Sequence, residues 1–191
     1  MIDWIVNCEW NVIVLLLVSG IIVGIINTLG GGGSVITMAL YMAMGIPVAV
    51  ANGTNRIAVV MQNLSATIAF MRKKVLDIKN SVLLGIPTIL GTIAGSMLAI
   101  DVSDKTFKVC LSLVLAIILI YLILDRGNTP KQEGHALKLR WWHYPLFFIV
   151  GFYGGYIYIG LGFLILAVTV WTMKLDLVTA NALKGCVIFI S

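Results

Sequence analysis

Residues 10–56 read WNVIVLLLVSGIIVGIINTLGGGGSVITMALYMAMGIPVAVANGTNR. This stretch contains no Asp, Glu, Lys, Arg or His before Arg56, its last residue, and four consecutive glycines lie near its centre. A helix of about 20 apolar residues crosses the roughly 30 Å hydrocarbon core of a bilayer. The stretch therefore predicts apolar helices that meet lipid, interrupted at the glycines.

The rest of the chain extends this pattern. Of its 191 residues 60% are hydrophobic and only 11% are charged, whereas about a quarter of a soluble domain is charged. Further runs almost free of charge cover residues 80–100, 106–124 and 141–173. We therefore expect an all-α, polytopic membrane protein whose surroundings are the lipid bilayer. The net charge of +5 comes from short basic loops, so nucleic-acid binding is not expected.

The uncharged runs and the glycines between them set the predicted helices. These helices lie near residues 10–29, 34–44, 50–71, 81–100, 106–124, 143–159, 163–173 and from 178 onward. The loops at residues 72–79 and 125–140 are both net positive, which predicts that both are cytoplasmic. The turn at residues 101–105 and the acidic N-terminus are then expected on the outside.

The chain also contains an internal repeat. Five residues recur 129 positions later: Gly31, Gly33, Met44, Ala51 and Asn52 correspond to Gly160, Gly162, Met173, Ala180 and Asn181. We expect a first repeat at residues 1–124, a cytoplasmic basic loop at 125–143 and the start of a second, incomplete repeat at 144–191. A complete second copy would need about 60 further residues. The loop orientation makes the two copies run in opposite directions, as in transporters whose substrate sites lie at broken helices near the midplane.

The glycine run Gly30-Gly-Gly-Gly33-Ser34 predicts a break in a helix. Each glycine weakens a helix by about 1 kcal/mol relative to alanine, so four in a row exceed what close helix packing alone requires. Unwound backbone at membrane depth persists only where protein or water satisfies it, which favours a cavity over the alternative of simple packing. The free N–H groups at the start of the following helix suit an anion.

Two isolated cations lie inside apolar segments, Arg56 in the first copy and Lys184 in the second. A charge within the membrane is costly unless it is paired or hydrated, and no Asp or Glu lies inside any predicted span. A small anionic substrate is therefore the natural counter-charge, bound by Arg56 as a planar fork and by Lys184 as a point charge. The structural alternative is that Arg56 reaches the headgroups or bonds backbone carbonyls.

These observations predict one substrate site built from both copies. No cofactor or metal is expected, because the chain has no ligand spacing for one, and assembly into a homo-oligomer is left open. The spans contain no nucleophile and base pair, so an enzyme is not expected. The predicted substrate-binding residues are Gly31, Gly32, Gly33, Ser34, Asn52, Thr54, Arg56, Asn63, Gly160, Gly162, Asn181 and Lys184.

Several motifs resemble the sulfite exporter TauE/SafE family of bacterial membrane transporters. They are residues 30–36 (GGGGSVI), 45–47 (GIP), 51–56 (ANGTNR) and 151–155 (GFYGG). The resemblance implies a multi-pass protein of the bacterial inner (plasma) membrane that moves small sulfur-containing anions such as sulfite or sulfonates. The absence of a carboxylate in the spans, which coupling by protons or Na⁺ usually requires, favours export down a gradient. The alternative function is a structural or accessory membrane subunit that transports nothing.

Overall fold

The computed structural model describes residues 10–30, 32–99, 139–158 and 160–191, together with the single residues 109, 112 and 116. In these ranges all regular secondary structure is helical. The helices are α1 (Trp10–Gly30), α2 (Gly33–Ala43), α3 (Val48–Arg72), α4 (Ile78–Ala99), α5 (His143–Tyr156), α6 (Leu161–Met173) and α7 (Leu177–Ile190). The predicted helix at 106–124, the turn at 101–105 and most of the loop at 125–143 lie outside the described residues.

The all-α prediction is confirmed for the described residues, and each helix there begins and ends within a few residues of its predicted bounds. One described segment, Ile78–Leu98, is long and apolar enough to cross a membrane by length and composition. Four shorter apolar helices accompany it: Leu16–Gly30, Gly33–Ala43, Leu161–Met173 and Leu177–Ile190. The first three of these adjoin a glycine break. α3 has 25 residues, but its several Asn, Gln and Arg side chains make it more polar than a simple span.

Glycines allow α4 and α5 to pack with their backbones in contact. A Cβ atom on Gly91 would lie 2.7 Å from the backbone nitrogen of Phe152, and one on Gly155 would lie 2.8 Å from that of Ser96. Small residues permit this close approach where lipid supplies no hydrophobic drive for association. Thr92 Oγ1 also donates a hydrogen bond to the Gly151 carbonyl at 3.2 Å.

The glycine contacts show that α4 and α5 run in the same direction. Gly151 lies against Thr88, and one turn further along both helices Gly155 lies against Thr92. The first residues of the two helices, which follow the two basic loops, are therefore at the same end of the pair.

α3 presents a mixed polar and apolar stripe to the interior. Its buried residues recur every fourth position, which places them on one helical face: Ala51, Asn55, Val59, Asn63 and Thr67. The far end of the stripe faces α7 at Gly185, where a Cβ would lie 3.5 Å from Thr67 Oγ1. Val59 joins the main apolar cluster, which α5, α6 and α7 also line with Phe147, Ile165, Leu183 and Val187.

Candidate site at the helix breaks

The two glycine breaks, 129 residues apart in sequence, meet inside the molecule. The backbone N–H of Gly160 donates to Ser34 Oγ at 3.4 Å. The Phe163 ring lies so close to Gly32 that a Cβ there would be 2.5 Å from its Cζ atom. The starts of α2 and α6 are thus in contact, and the absence of a side chain at Gly32 leaves room for the Phe163 ring.

Two further glycines are needed at these breaks, Gly160 for its backbone conformation and Gly33 for close packing. Gly160 has a φ of 77°, in the left-handed region that glycine adopts without strain, and it precedes α6 directly. Gly33 begins α2 against the end of α1, where a Cβ would lie 2.6 Å from Asn27 Cβ. Gly162 is buried in the first turn of α6.

Lys184 is buried and fully hydrogen-bonded within the protein. Its Nζ donates to the carbonyl oxygens of Asn27 and Thr28, each at 3.0 Å, and to Asn181 Oδ1 at 2.6 Å. An ammonium group has three N–H donors, so these acceptors use all of them. The two carbonyls belong to the last turn of α1, which has no helical partners for them. Asn181 Nδ2 extends the cap by donating to Leu29 O at 3.0 Å.

Arg56 is half-buried and keeps most of its donors. Nη2 donates to the Gly155 carbonyl at 3.0 Å, in the last turn of α5. The guanidinium carbon lies 4.9 Å from the centre of the Tyr158 ring, a cation–π contact. A guanidinium group has five N–H donors, and this is its one hydrogen bond to the described residues. Arg56 can therefore bind a further group, whereas Lys184 has no donor to spare.

The two cations make reciprocal contacts between the predicted repeats. Arg56 from the first copy bonds the end of α5 in the second copy, and Lys184 from the second bonds the end of α1 in the first. Both therefore lie at the C-terminal end of a helix that stops at a break, where the helix dipole is negative and favours a cation.

Three buried polar atoms near the breaks have no hydrogen-bond partner among the described residues. They are Asn52 Oδ1, Asn55 Nδ2 and the Tyr158 hydroxyl. Asn55 is only 1% exposed, one turn from Ala51, which packs in an apolar cluster with Met38 and Ile157. An unpartnered buried polar atom costs about 1–3 kcal/mol, so a bound polar group would recover stability there.

Several predicted site residues lie elsewhere. Thr54 is on the exposed face of α3, and Gly31 lies outside the described residues. Asn63 is buried two turns from Arg56, and its Nδ2 donates to Val59 O at 2.8 Å in its own helix. A separate shallow groove at the basic end of α3 contains none of the predicted site residues; it is lined by Ser65, Ile68, Ala69, Arg72 and Lys73.

Three residues near the helix breaks were not among the predicted site residues: Tyr158, Asn55 and Gln62. Gln62 ties α3 to α1: it donates to Gly24 O and to Thr28 Oγ1 and accepts from Asn27 Nδ2 at 2.8 Å. A signal existed for the other two, because Asn55 precedes Arg56 directly and Tyr158 lies between Gly155 and Gly160. Gln62 had no such signal, because no side-chain pattern shows which residues reach a backbone carbonyl.

In its described ranges the chain is all-helical, with glycines that interrupt apolar helices and cations at the interruptions. These are the features of a broken-helix membrane protein. The sequence model of the family described as Sulfite exporter TauE/SafE matches residues 16–191. The chain belongs to this family.

Curated relatives are named as transporters. The chain is 29% identical over 157 residues to a probable membrane transporter protein of Haemophilus influenzae, covering 80% of this chain and 60% of the relative. It is 30% identical over 137 residues to the probable membrane transporter protein YfcA of Escherichia coli K12, covering 70% and 49%. Against the probable membrane transporter protein YunE of Bacillus subtilis it is 23% identical over 203 residues, covering 93% and 74%.

The chain spans about half to three-fifths of the length of the first two of these relatives. No solved structure gives a significant match to it.

Proposed function

We propose that the complete protein transports small anions across the bacterial inner membrane and that Arg56 binds the anion at the second helix break. The observation that carries this proposal is the environment of Arg56: a half-buried guanidinium group with one hydrogen bond to the described residues, at the end of α5 just before the second break. No described residue forms an ion pair with it. A small anion supplies the missing charge, and the guanidinium fork matches its oxygens.

Sulfur-containing anions such as sulfite and sulfonates are the proposed substrates, and export is the proposed direction. The family description supports the substrate class. The absence of Asp and Glu from the described helices that surround the site supports export. A transporter coupled to protons or Na⁺ usually has such a carboxylate in the membrane.

A multi-pass architecture of two inverted repeats is part of this proposal. The reciprocal contacts of Arg56 and Lys184 support it, since each repeat closes the broken helix of the other. The shared direction of α4 and α5 supports it as well, because two helices that follow cytoplasmic loops should both leave the cytoplasmic side.

Transport by the complete protein tests the proposal. In proteoliposomes, Arg56→Gln should lower the rate of labelled sulfite or methanesulfonate flux at least tenfold, because it removes the charge that binds the anion. Arg72→Gln is the matched control: it is the same substitution in the same helix, but at an exposed position beyond the site. Its flux should equal that of the wild type.

Two results would contradict the proposal. Flux unchanged by Arg56→Gln would show that the anion does not depend on this residue. If the wild-type protein gave no flux with any small anion in either direction, the structural or accessory subunit would be the better account.

A further inference from the structure

Tyr158 has an unusual backbone conformation beside the proposed anion site. It lies between the end of α5 at Tyr156 and the start of α6 at Leu161, with a φ of 68°. Bulky residues rarely adopt this left-handed region, and the few that do concentrate at functional sites. The backbone N–H of Leu161 holds the turn by donating to the Tyr158 carbonyl at 3.2 Å.

The Tyr158 side chain places a donor next to Arg56. Its ring packs on the guanidinium group at 4.9 Å, and its hydroxyl is buried without a hydrogen-bond partner among the described residues. Packing alone would be served as well by phenylalanine, since the hydroxyl makes no described contact within the protein. A buried tyrosine hydroxyl normally has a partner, so a ligand is the missing one.

The number of donors indicates which anions this arrangement favours. A guanidinium fork binds two oxygens side by side, so it can contact both oxygens of a carboxylate at once. Sulfite and sulfonates carry a third oxygen, which projects out of that plane and needs another donor. The hydroxyl of Tyr158, whose ring lies beside the guanidinium group, can supply that donor.

We propose that the Tyr158 hydroxyl binds the third oxygen of an anion held by Arg56, so that the site selects three-oxygen headgroups over carboxylates. This inference rests on the proposed anion site and assigns its selectivity to one atom. Tyr158→Phe keeps the ring and its contact with Arg56 and removes only that atom.

The test compares two anions of similar size on the complete protein in lipid nanodiscs. Binding of methanesulfonate and of acetate is measured by isothermal titration calorimetry. Tyr158→Phe should weaken methanesulfonate binding about tenfold, as expected for loss of a hydrogen bond to a charged group, and leave acetate within twofold of wild type. Tyr156→Phe, which removes a hydroxyl from a half-buried tyrosine at the end of α5, is the matched control and should change neither.

The outcomes separate this inference from the proposed function. If Arg56→Gln abolishes binding of both anions while Tyr158→Phe changes neither, the anion site stands and the role of Tyr158 is overturned. Equal weakening of both anions by Tyr158→Phe, with a lower melting temperature, would show a purely structural tyrosine and overturn it as well. If Arg56→Gln leaves both affinities unchanged, the anion site itself is wrong.

Discussion

The buried Lys184 and the half-buried Arg56 show how similar residues take different roles through their neighbours. Among the described residues Lys184 has three acceptors for three donors, while Arg56 uses one donor of five. Both cap a helix end, but only Arg56 retains donors for another molecule. The repeat spacing places Lys184 one position from Arg56, at the equivalent of residue 55, yet the two residues differ in the hydrogen-bonding capacity that the described contacts leave them. We therefore assign Lys184 a structural role and propose the binding role for Arg56.

This difference gives a prediction at the scale of one residue. Lys184→Met should destabilise the complete protein by about 3 kcal/mol, because the carbonyls of Asn27 and Thr28 and the Asn181 oxygen lose a charged donor. Thermal unfolding in detergent measures the loss. Lys79→Met, an exposed lysine in the first turn of α4, is the control and should unfold at the wild-type temperature.

Anion binding by the same variant separates the two roles further. Protein with Lys184→Met that stays folded at low temperature should bind the anion within threefold of wild type. Wild-type stability together with lost binding would reverse the roles assigned to the two cations.

At the scale of elements, the α4–α5 pair depends on the absence of side chains along its contact. Gly91, Gly95, Gly151 and Gly155 each face backbone atoms of the opposite helix. A side chain there cannot be accommodated by rotating a neighbour, because the neighbouring atoms are main chain. The contact also fixes the end of α5, whose Gly155 carbonyl accepts from Arg56.

Gly151→Ala should therefore separate the two helices. The added Cβ would meet Thr88 Cα at 2.8 Å, so the backbones must move apart, and we expect a loss of about 1–3 kcal/mol. Gly20→Ala and Gly53→Ala are controls with the same change where no atom lies within 4 Å. These should be neutral or stabilising by up to about 1 kcal/mol, since alanine favours a helix.

Apparent melting temperatures of the purified variants provide the comparison. A Gly151→Ala protein as stable as the two controls would contradict the close backbone contact of α4 and α5.

At the scale of the whole molecule, the glycines and charges predicted the helices but not their partners. The bounds follow from local features: uncharged runs make apolar helices, and the glycines interrupt them. Which break touches which could not be predicted, because the Ser34–Gly160 and Lys184–Thr28 contacts join a side chain to main-chain atoms. Every residue has such atoms, so no sequence pattern marks the ones that are used.

The reading of Lys184 illustrates the same limit for the site. An isolated cation in an apolar segment needs hydrogen-bond acceptors, and the sequence pattern predicted an anionic substrate as that acceptor. The structure supplies another, the unpaired carbonyls at the end of a broken helix. Thr54 fell outside the site for a simpler reason. In α3 the interior face passes through Ala51 and Asn55, and between them Gly53 and Thr54 lie on the exposed face.

The shared direction of α4 and α5 gives a prediction about the arrangement in the membrane. Single cysteines at Lys73 and Trp141, both exposed and just before α4 and α5, should be accessible from the same side. In a complete protein without its native cysteines, a membrane-impermeant maleimide should label both in inside-out vesicles and neither in intact cells. Labelling of the two positions from opposite sides would rule out the proposed topology.

The reciprocal caps also bear on how the protein is made. The ribosome completes α1 long before α7, so the last carbonyls of α1 lack the lysine donor until α7 has been made and has packed against them. Unpaired carbonyls in hydrocarbon are costly, so the early chain must shelter them in water, in lipid headgroups or in the insertion machinery. The end of α5 can be capped once α5 meets α3, whereas the end of α1 stays uncapped until α7 joins it.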